Sequence, residues 1–227
     1  MARPVAHHET QRRPPPPARA DELDGVVADR PHLPPGAAAA ALARCVGRAA
    51  VLLARREVRQ PRDHVGEVIG FADGTAARVY RETVVEPTGG VAEPVLLVVG
   101  FRLRWVRGVG HPLFRAESLL NTPLFVGCPG FVSKLWLAHD GNGVYRGVYQ
   151  WDGAGRADAY VRMLWWVLAL VSVRGSIRST VVPDRWRDEV LADPRLLDDA
   201  TTGGATEPAT WWRPTGVERR GPGAATP

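Results

Sequence analysis

Lysine is almost missing from this chain. Of its 29 lysine and arginine side chains, Lys134 is the single lysine, although the net charge is +5 and the isoelectric point about 9.8. Arginine abundance beside many Ala, Gly and Pro residues fits a G+C-rich coding bias. Phosphate-binding domains gather their charge on one face, whereas here Asp and Glu are interspersed. A solvated surface is therefore expected, with no nucleic-acid partner. Cysteine is scarce too: Cys45 and Cys128 are far apart and make no C-x-x-C spacing. That excludes a disulfide framework and fits a reducing compartment. Long apolar runs are also lacking. The most apolar stretch, residues 163–173, has 11 residues, short of the ~20 a spanning helix needs. The N-terminus has no apolar signal-peptide core, so the expectation is a soluble, cytoplasmic protein without a transmembrane segment.

Familiar catalytic signatures are missing as well. There is no G-x-S-x-G, no P-loop and no G-x-G-x-x-G. The six histidines form no H-x-x-x-H pair, which argues against a zinc site. Asp140-x-Asn142 resembles the start of a calcium loop, but Trp151 stands where the twelfth-position glutamate belongs, and a turn explains it better. No metal and no cofactor is expected.

What is present divides the chain. Residues 1–36 carry the run Pro14–Pro17 and little periodic hydrophobicity; such a stretch buries too little apolar surface to offset its ordering entropy, and it reads as a disordered arm. Residues 37–94 read as an accessory helix plus hairpin, 95–183 as the main domain, 184–200 as a short terminal helix and 201–227 as a flexible tail. Over residues 37–57, Leu42, Val46, Ala49, Ala50 and Leu53 fall on one side of a helix, with Arg44, Arg48 and Arg55 elsewhere. This helix either docks on the rest of the protein, the preferred reading, or, with residues 37–62, meets an anionic membrane surface. Residues 65–71 and 77–85 flank Asp73-Gly74 as a hairpin. Its mixed faces suggest an edge or partly exposed element.

Residues 95–106 form a strand with Val95, Leu97, Val99, Phe101, Leu103 and Trp105 on one face. A short helix is read over 113–126. Two strands then flank the turn Asp140-Gly141-Asn142-Gly143, whose residues tolerate positive φ. Residues 156–173 read as a helix apolar almost all round, hence buried on several sides. A strand at 177–182 ends at Pro183. The order β-α-β-β-α-β is the split βαβ, or ferredoxin-like, arrangement of an α+β fold. Leu96 and Val98 oppose Val95 and Leu97, so both sheet faces are apolar while the helices cover one. A second copy on the other face, a homodimer, is the simplest cover.

The segments PGFVSKLWL, GVYRGVYQWD and ADAYVRMLWWVLALVSVRGSI resemble the YdhR-like, monooxygenase-like proteins of the dimeric α+β barrel superfamily, which includes antibiotic-biosynthesis monooxygenases. The resemblance spans about residues 95–183. It implies a ferredoxin-like dimeric α+β barrel, here with an N-terminal helix and β-hairpin extension, and a pocket between sheet and helices for a small hydrophobic, aromatic or polyketide-like ligand. Cofactor-independent monooxygenation is the implied activity; a non-catalytic binding or protein-interaction module is the alternative.

Candidate site residues follow from these placements. His111, in the loop before the first helix, is a candidate base or a solvent-facing side chain. Tyr145 and Tyr149 share a strand face with Gly147 and Trp151, and Gly147 leaves room beside the rings. Tyr145, Tyr149 and His111 are the candidate catalytic groups. Lys134, on the face of Val132 and Trp136, either meets an acidic partner across the dimer or touches a ligand together with Trp136, Trp151 and Trp165, although these tryptophans also suit a core. Asn121 has no assigned place. The adjacent Trp211 and Trp212, in a polar tail, are expected to dock on the chain's own surface, since burying each is worth about 2–3 kcal/mol.

Overall fold

A computed structural model describes residues 32–86, 89–104, 122–198 and 210–219. His111, Asn121, Trp105 and most of the expected helix over 113–126 lie outside the described residues. The elements are α1 (Pro35–Ala54), β1 (Val58–Arg59), β2 (Val68–Phe71), β3 (Ala76–Val85), β4 (Pro94–Arg102), α2 (Pro123–Val126), β5 (Phe131–Leu137), β6 (Val144–Asp152), α3 (Ala154–Val171), β7 (Arg178–Pro183), α4 (Arg187–Ala192) and β8 (Pro214–Glu218). Short 3₁₀ turns occupy Pro194–Leu197 and Thr210–Trp212.

The strands form one sheet in the order β7-β4-β6-β5-β3-β2-β8, with β1 beside β3. The β4/β6, β5/β6 and β4/β7 pairs are all antiparallel. Over residues 94–183 this is the split βαβ order that the sequence pattern implies: β4 and β5 run parallel with β6 between them. The turn between β5 and β6 is built as its residues suggest. Gly143 has a φ of 74°, and the Asp140 carboxylate accepts hydrogen bonds from the backbone N–H groups of Asn142 and Val144.

The hairpin ahead of this unit is no edge. β3 pairs with β5 over a run from Val79 to Val84 and carries β2 on its other side. Its mixed faces arise because Arg81, Glu82 and Thr83 are all buried, each with a polar partner described below.

Both sheet faces are covered, as their composition demands. On one, Val95, Leu97, Val99, Trp136, Tyr149 and Trp151 pack under α1, α2 and α3. On the other, Leu96, Val98, Leu135, Leu137, Val148 and Val182 pack under Val190, Leu191, Leu197, Trp211 and Trp212. The cover expected from a second copy is thus supplied by the chain's own C-terminal segment. Trp211 and Trp212 dock on the chain itself, and residues 214–218, read as flexible tail, add β8 to the edge of β2. Gly100 makes the seat: a Cβ there would lie 2.9 Å from the Trp211 ring. Arg146 locks it, donating from Nε to the Trp211 carbonyl (3.0 Å), from Nη1 to Asp140 (2.5 Å) and from Nη2 to Asp73 (2.8 Å).

The helices differ from expectation in orientation. α1 buries its small residues, Ala38, Cys45 and Ala49, while Val46, Val51 and Leu53 face outward. The inward stripe is shifted from the expected one because close approach decides it: a Cβ on Gly127 would fall 1.8 Å from the Cys45 carbonyl oxygen. By length and composition α1 is also apolar enough to cross a membrane. α3 buries Ala157, Tyr160, Met163 and Leu168 and leaves Leu170 77% exposed; among the described residues it packs on the sheet face, on α1 and on His32 and Leu33, and Leu170 points away from all three.

Candidate functional site

β5 lies between β3 and β6, and this sets one row of side chains across three strands under the helices. Thr83 pairs with Lys134, and Lys134 with Tyr149. Lys134 Nζ sits 3.2 Å from the ring centroid of Trp136, 4.7 Å from that of Phe125 and 4.8 Å from that of Tyr149. The lysine is buried, and among the described residues no carboxylate pairs with it. Around it, Trp136 Nε1 donates to Thr83 Oγ1 at 3.1 Å, and the hydroxyls of Tyr149 and Tyr160 lie 3.3 Å apart. Arg81 also packs on Trp136, its guanidinium carbon 4.9 Å from the ring centroid, and donates to Thr122 Oγ1 at 2.5 Å.

The electrostatics follow from enclosure. Burial holds the Lys134 amine well below the usual lysine range, and the like charge of Arg81 adds to the effect. Cation–π attraction to the rings, about 0.5–2 kcal/mol each, favours the charged form and opposes this. Stripping water from a wholly enclosed ammonium is the larger effect. Burial pushes the Tyr149 and Tyr160 hydroxyls up, so both stay protonated at neutral pH. The arrangement is an amine of lowered proton affinity in an apolar aromatic box, with the Tyr149 ring in its wall.

The candidate residues sort unevenly. Lys134, Trp136 and Tyr149 come together. Trp151 is fully enclosed, packed on Phe131 and Tyr160 at ring-centroid distances of 5.7 and 4.9 Å, behind the lysine's box. Tyr145 is buried against Phe101, with 6.0 Å between ring centroids, and His139, which puts it two residues up the strand from Gly147. Trp165 is half-buried at the margin of the helix-side core, stacked on His32 at 4.1 Å. His111 falls outside the described residues. The room beside Gly147 belongs to Tyr149 itself: a Cβ at 147 would lie 2.7 Å from that ring, so the glycine seats the tyrosine and leaves no ligand gap.

Arg81, Thr83, Phe125 and Tyr160 complete the box and had no sequence signal pointing to it. Arg81 and Thr83 come from the hairpin expected to be an edge or partly exposed element. α2 supplies Phe125, and behind it the two cysteines meet. Their thiols are buried and free; hydrogen bonding between them, then burial, pushes the Cys128 thiol up.

No known protein family matches this chain, and no curated protein matches it. Among solved structures it is similar to an uncharacterised ferredoxin-fold protein related to antibiotic biosynthesis monooxygenases from Listeria monocytogenes, at 13% identity and a TM-score of 0.31. That match covers 48% of this chain and 63% of the other.

Proposed function

We propose that this chain binds a small, flat, hydrophobic molecule bearing an acidic or carbonyl oxygen, in the layer between sheet and helices at Lys134. The observation that carries the reading is the lone lysine enclosed by Trp136, Phe125 and Tyr149 without a carboxylate partner among the described residues. Aromatic walls orient a flat ring and exclude water. The amine accepts the proton of an electron-rich phenol and then holds the phenolate as its ammonium counter-ion. In a monooxygenase-like reaction that anion meets dioxygen directly. A ring C–H becomes C=O, one oxygen atom enters the product as a quinone, and the other leaves as water with electrons drawn from the substrate.

A non-catalytic binding module is the second reading, and the tyrosines favour it. With Tyr149 and Tyr160 held protonated, Lys134 is the proton acceptor that this box supplies. Quenching of tryptophan fluorescence by phenols of one to three rings tests binding, and an oxygen electrode tests turnover. Quenching with oxygen uptake supports the oxygenase; quenching without uptake supports the binding module. No quenching by any phenol overturns both.

A further inference from the structure

We infer that Lys134 is a carbonyl-capturing residue, which forms an imine with an aromatic aldehyde or ketone bound in its aromatic box. The inference rests on the small-molecule reading above and names a ligand class for it.

Three observations lead there. First, the chain uses arginine at every other basic position and retains one lysine. Arginine serves wherever a fixed positive charge or a surface cation is wanted, because its guanidinium stays protonated. What arginine lacks is an amine that can lose its proton and attack carbon. Second, that one amine is placed where a surface cation has no reason to be: on the middle strand of three, buried, among three rings. A structural lysine in a core normally meets a carboxylate, and here the described residues offer none. Third, the ring nearest the amine in the next strand is a tyrosine whose hydroxyl is linked to a second, Tyr160, at 3.3 Å. Imine formation needs a proton donor to help expel water from the carbinolamine, and a protonated phenol pair in the same wall can provide it.

The step balances without any outside redox partner. The Nζ lone pair forms a bond to the carbonyl carbon, and the carbonyl oxygen takes up a proton to give a carbinolamine. That hydroxyl then leaves as water while the nitrogen loses its second hydrogen as a proton. The product is a C=N bond in place of C=O, plus one water. The electron-rich rings around Nζ favour a conjugated, flat partner over an aliphatic one.

The test uses the full chain with 4-hydroxybenzaldehyde as probe and sodium cyanoborohydride, which delivers hydride to the imine carbon and fixes it as a secondary amine. Besides Lys134, the chain offers the N-terminal α-amine, so intact mass and peptide mapping separate the two positions. The expected result is one adduct on the Lys134 peptide at pH 7, formed at least about tenfold faster than on Nα-acetyl-lysine, of which roughly one amine in 2,500 is unprotonated at that pH. Lys134→Met and Lys134→Arg both abolish it. Labelling confined to the N-terminal amine, or labelling of Lys134 no faster than the free amino acid derivative, overturns the inference. The mapping and rate on the unaltered protein decide this even if a variant fails to fold. 4-Methylphenol, which lacks the carbonyl, separates the two levels. If it quenches tryptophan fluorescence and no adduct forms, the imine is excluded and the binding reading stands; if neither compound binds, both fall.

Discussion

Lys134 shows how one side chain can cost stability and still be kept. Enclosing an amine that meets no carboxylate among the described residues favours its neutral form and leaves the folded chain carrying a desolvation penalty that the unfolded chain avoids. Lys134→Met fills much the same volume with a thioether, so the variant should fold and be as stable as the parent or up to about 2 kcal/mol more stable, measured by chemical denaturation, while losing phenol binding. A loss of stability would mean that the lysine serves the fold. Gly127 makes the opposite case. Its missing Cβ is where the Cys45 carbonyl oxygen sits, 1.8 Å from an added methyl, and the obstacle is backbone, which does not step aside. Gly127→Ala should separate α1 from α2 and cost about 2–3 kcal/mol, with increased reactivity of Cys45 and Cys128 toward a thiol reagent as the local signature.

α4 is held to the sheet by charge more than by length. Arg187 donates to Glu82 at 2.7 Å and to Asp188 at 2.6 Å, its backbone N–H donates to Gln150 Oε1 at 2.6 Å, and His64 Nδ1 lies 3.0 Å from Glu82. Burial pushes the Glu82 carboxyl up, but the hydrogen bond from His64 and the Arg187 charge outweigh it and hold it below the usual carboxylate range. Removing one member of so buried a pair leaves an uncompensated charge: Arg187→Met should cost about 3–5 kcal/mol, and adding Glu82→Gln should restore much of it, a cycle read by denaturant midpoints. His64 adds a pH dependence of known sign. The Glu82 hydrogen bond raises its pKa above 6.5, so its contribution is complete below pH 6.5, where the unfolded imidazole is also protonated. It fades as the pH rises through the folded-state value. Stability should therefore fall on going from pH 6.5 into the alkaline range, and His64→Gln should flatten that slope.

At the scale of the molecule, the chain is a ferredoxin-like sheet extended on one side by β3, β2 and β8 and roofed on both faces from within. The second roof depends on Trp211, seated over Gly100 and held by Arg146, and on Trp212 in the same apolar cluster. Truncating both Trp211 and Trp212 to alanine should cost about 3–5 kcal/mol or more and uncover Leu96, Val98 and Val148. A variant that still folds should scatter light as a larger species than the parent at equal concentration, because an uncovered apolar sheet face of this kind recruits another copy. An unchanged mass and stability would show that the roof is dispensable.

Period-two alternation, turn residues such as Asp73-Gly74 and Asp140 to Gly143, and the two-sided apolarity of β4 made β2 to β7 and the need for two covers legible from sequence alone, because these are local properties of the chain; β1 and β8 were not. They grouped Lys134 with Trp136, and Tyr149 with Gly147 and Trp151, but did not say which of these faces lies under the helices. The identity of each cover was decided only by tertiary structure. A sheet face asks for apolar area of any origin, and Trp211 satisfies it from more than a hundred residues beyond Gly100 as well as a twin would. The same holds for the site. Arg81 and Thr83 reach Lys134 because β3 hydrogen-bonds to β5, and Phe125 reaches it because Gly127 lets α1 and α2 close together. Neither meeting leaves a periodic trace, since contacts between distant segments depend on register and close approach rather than on neighbouring residues.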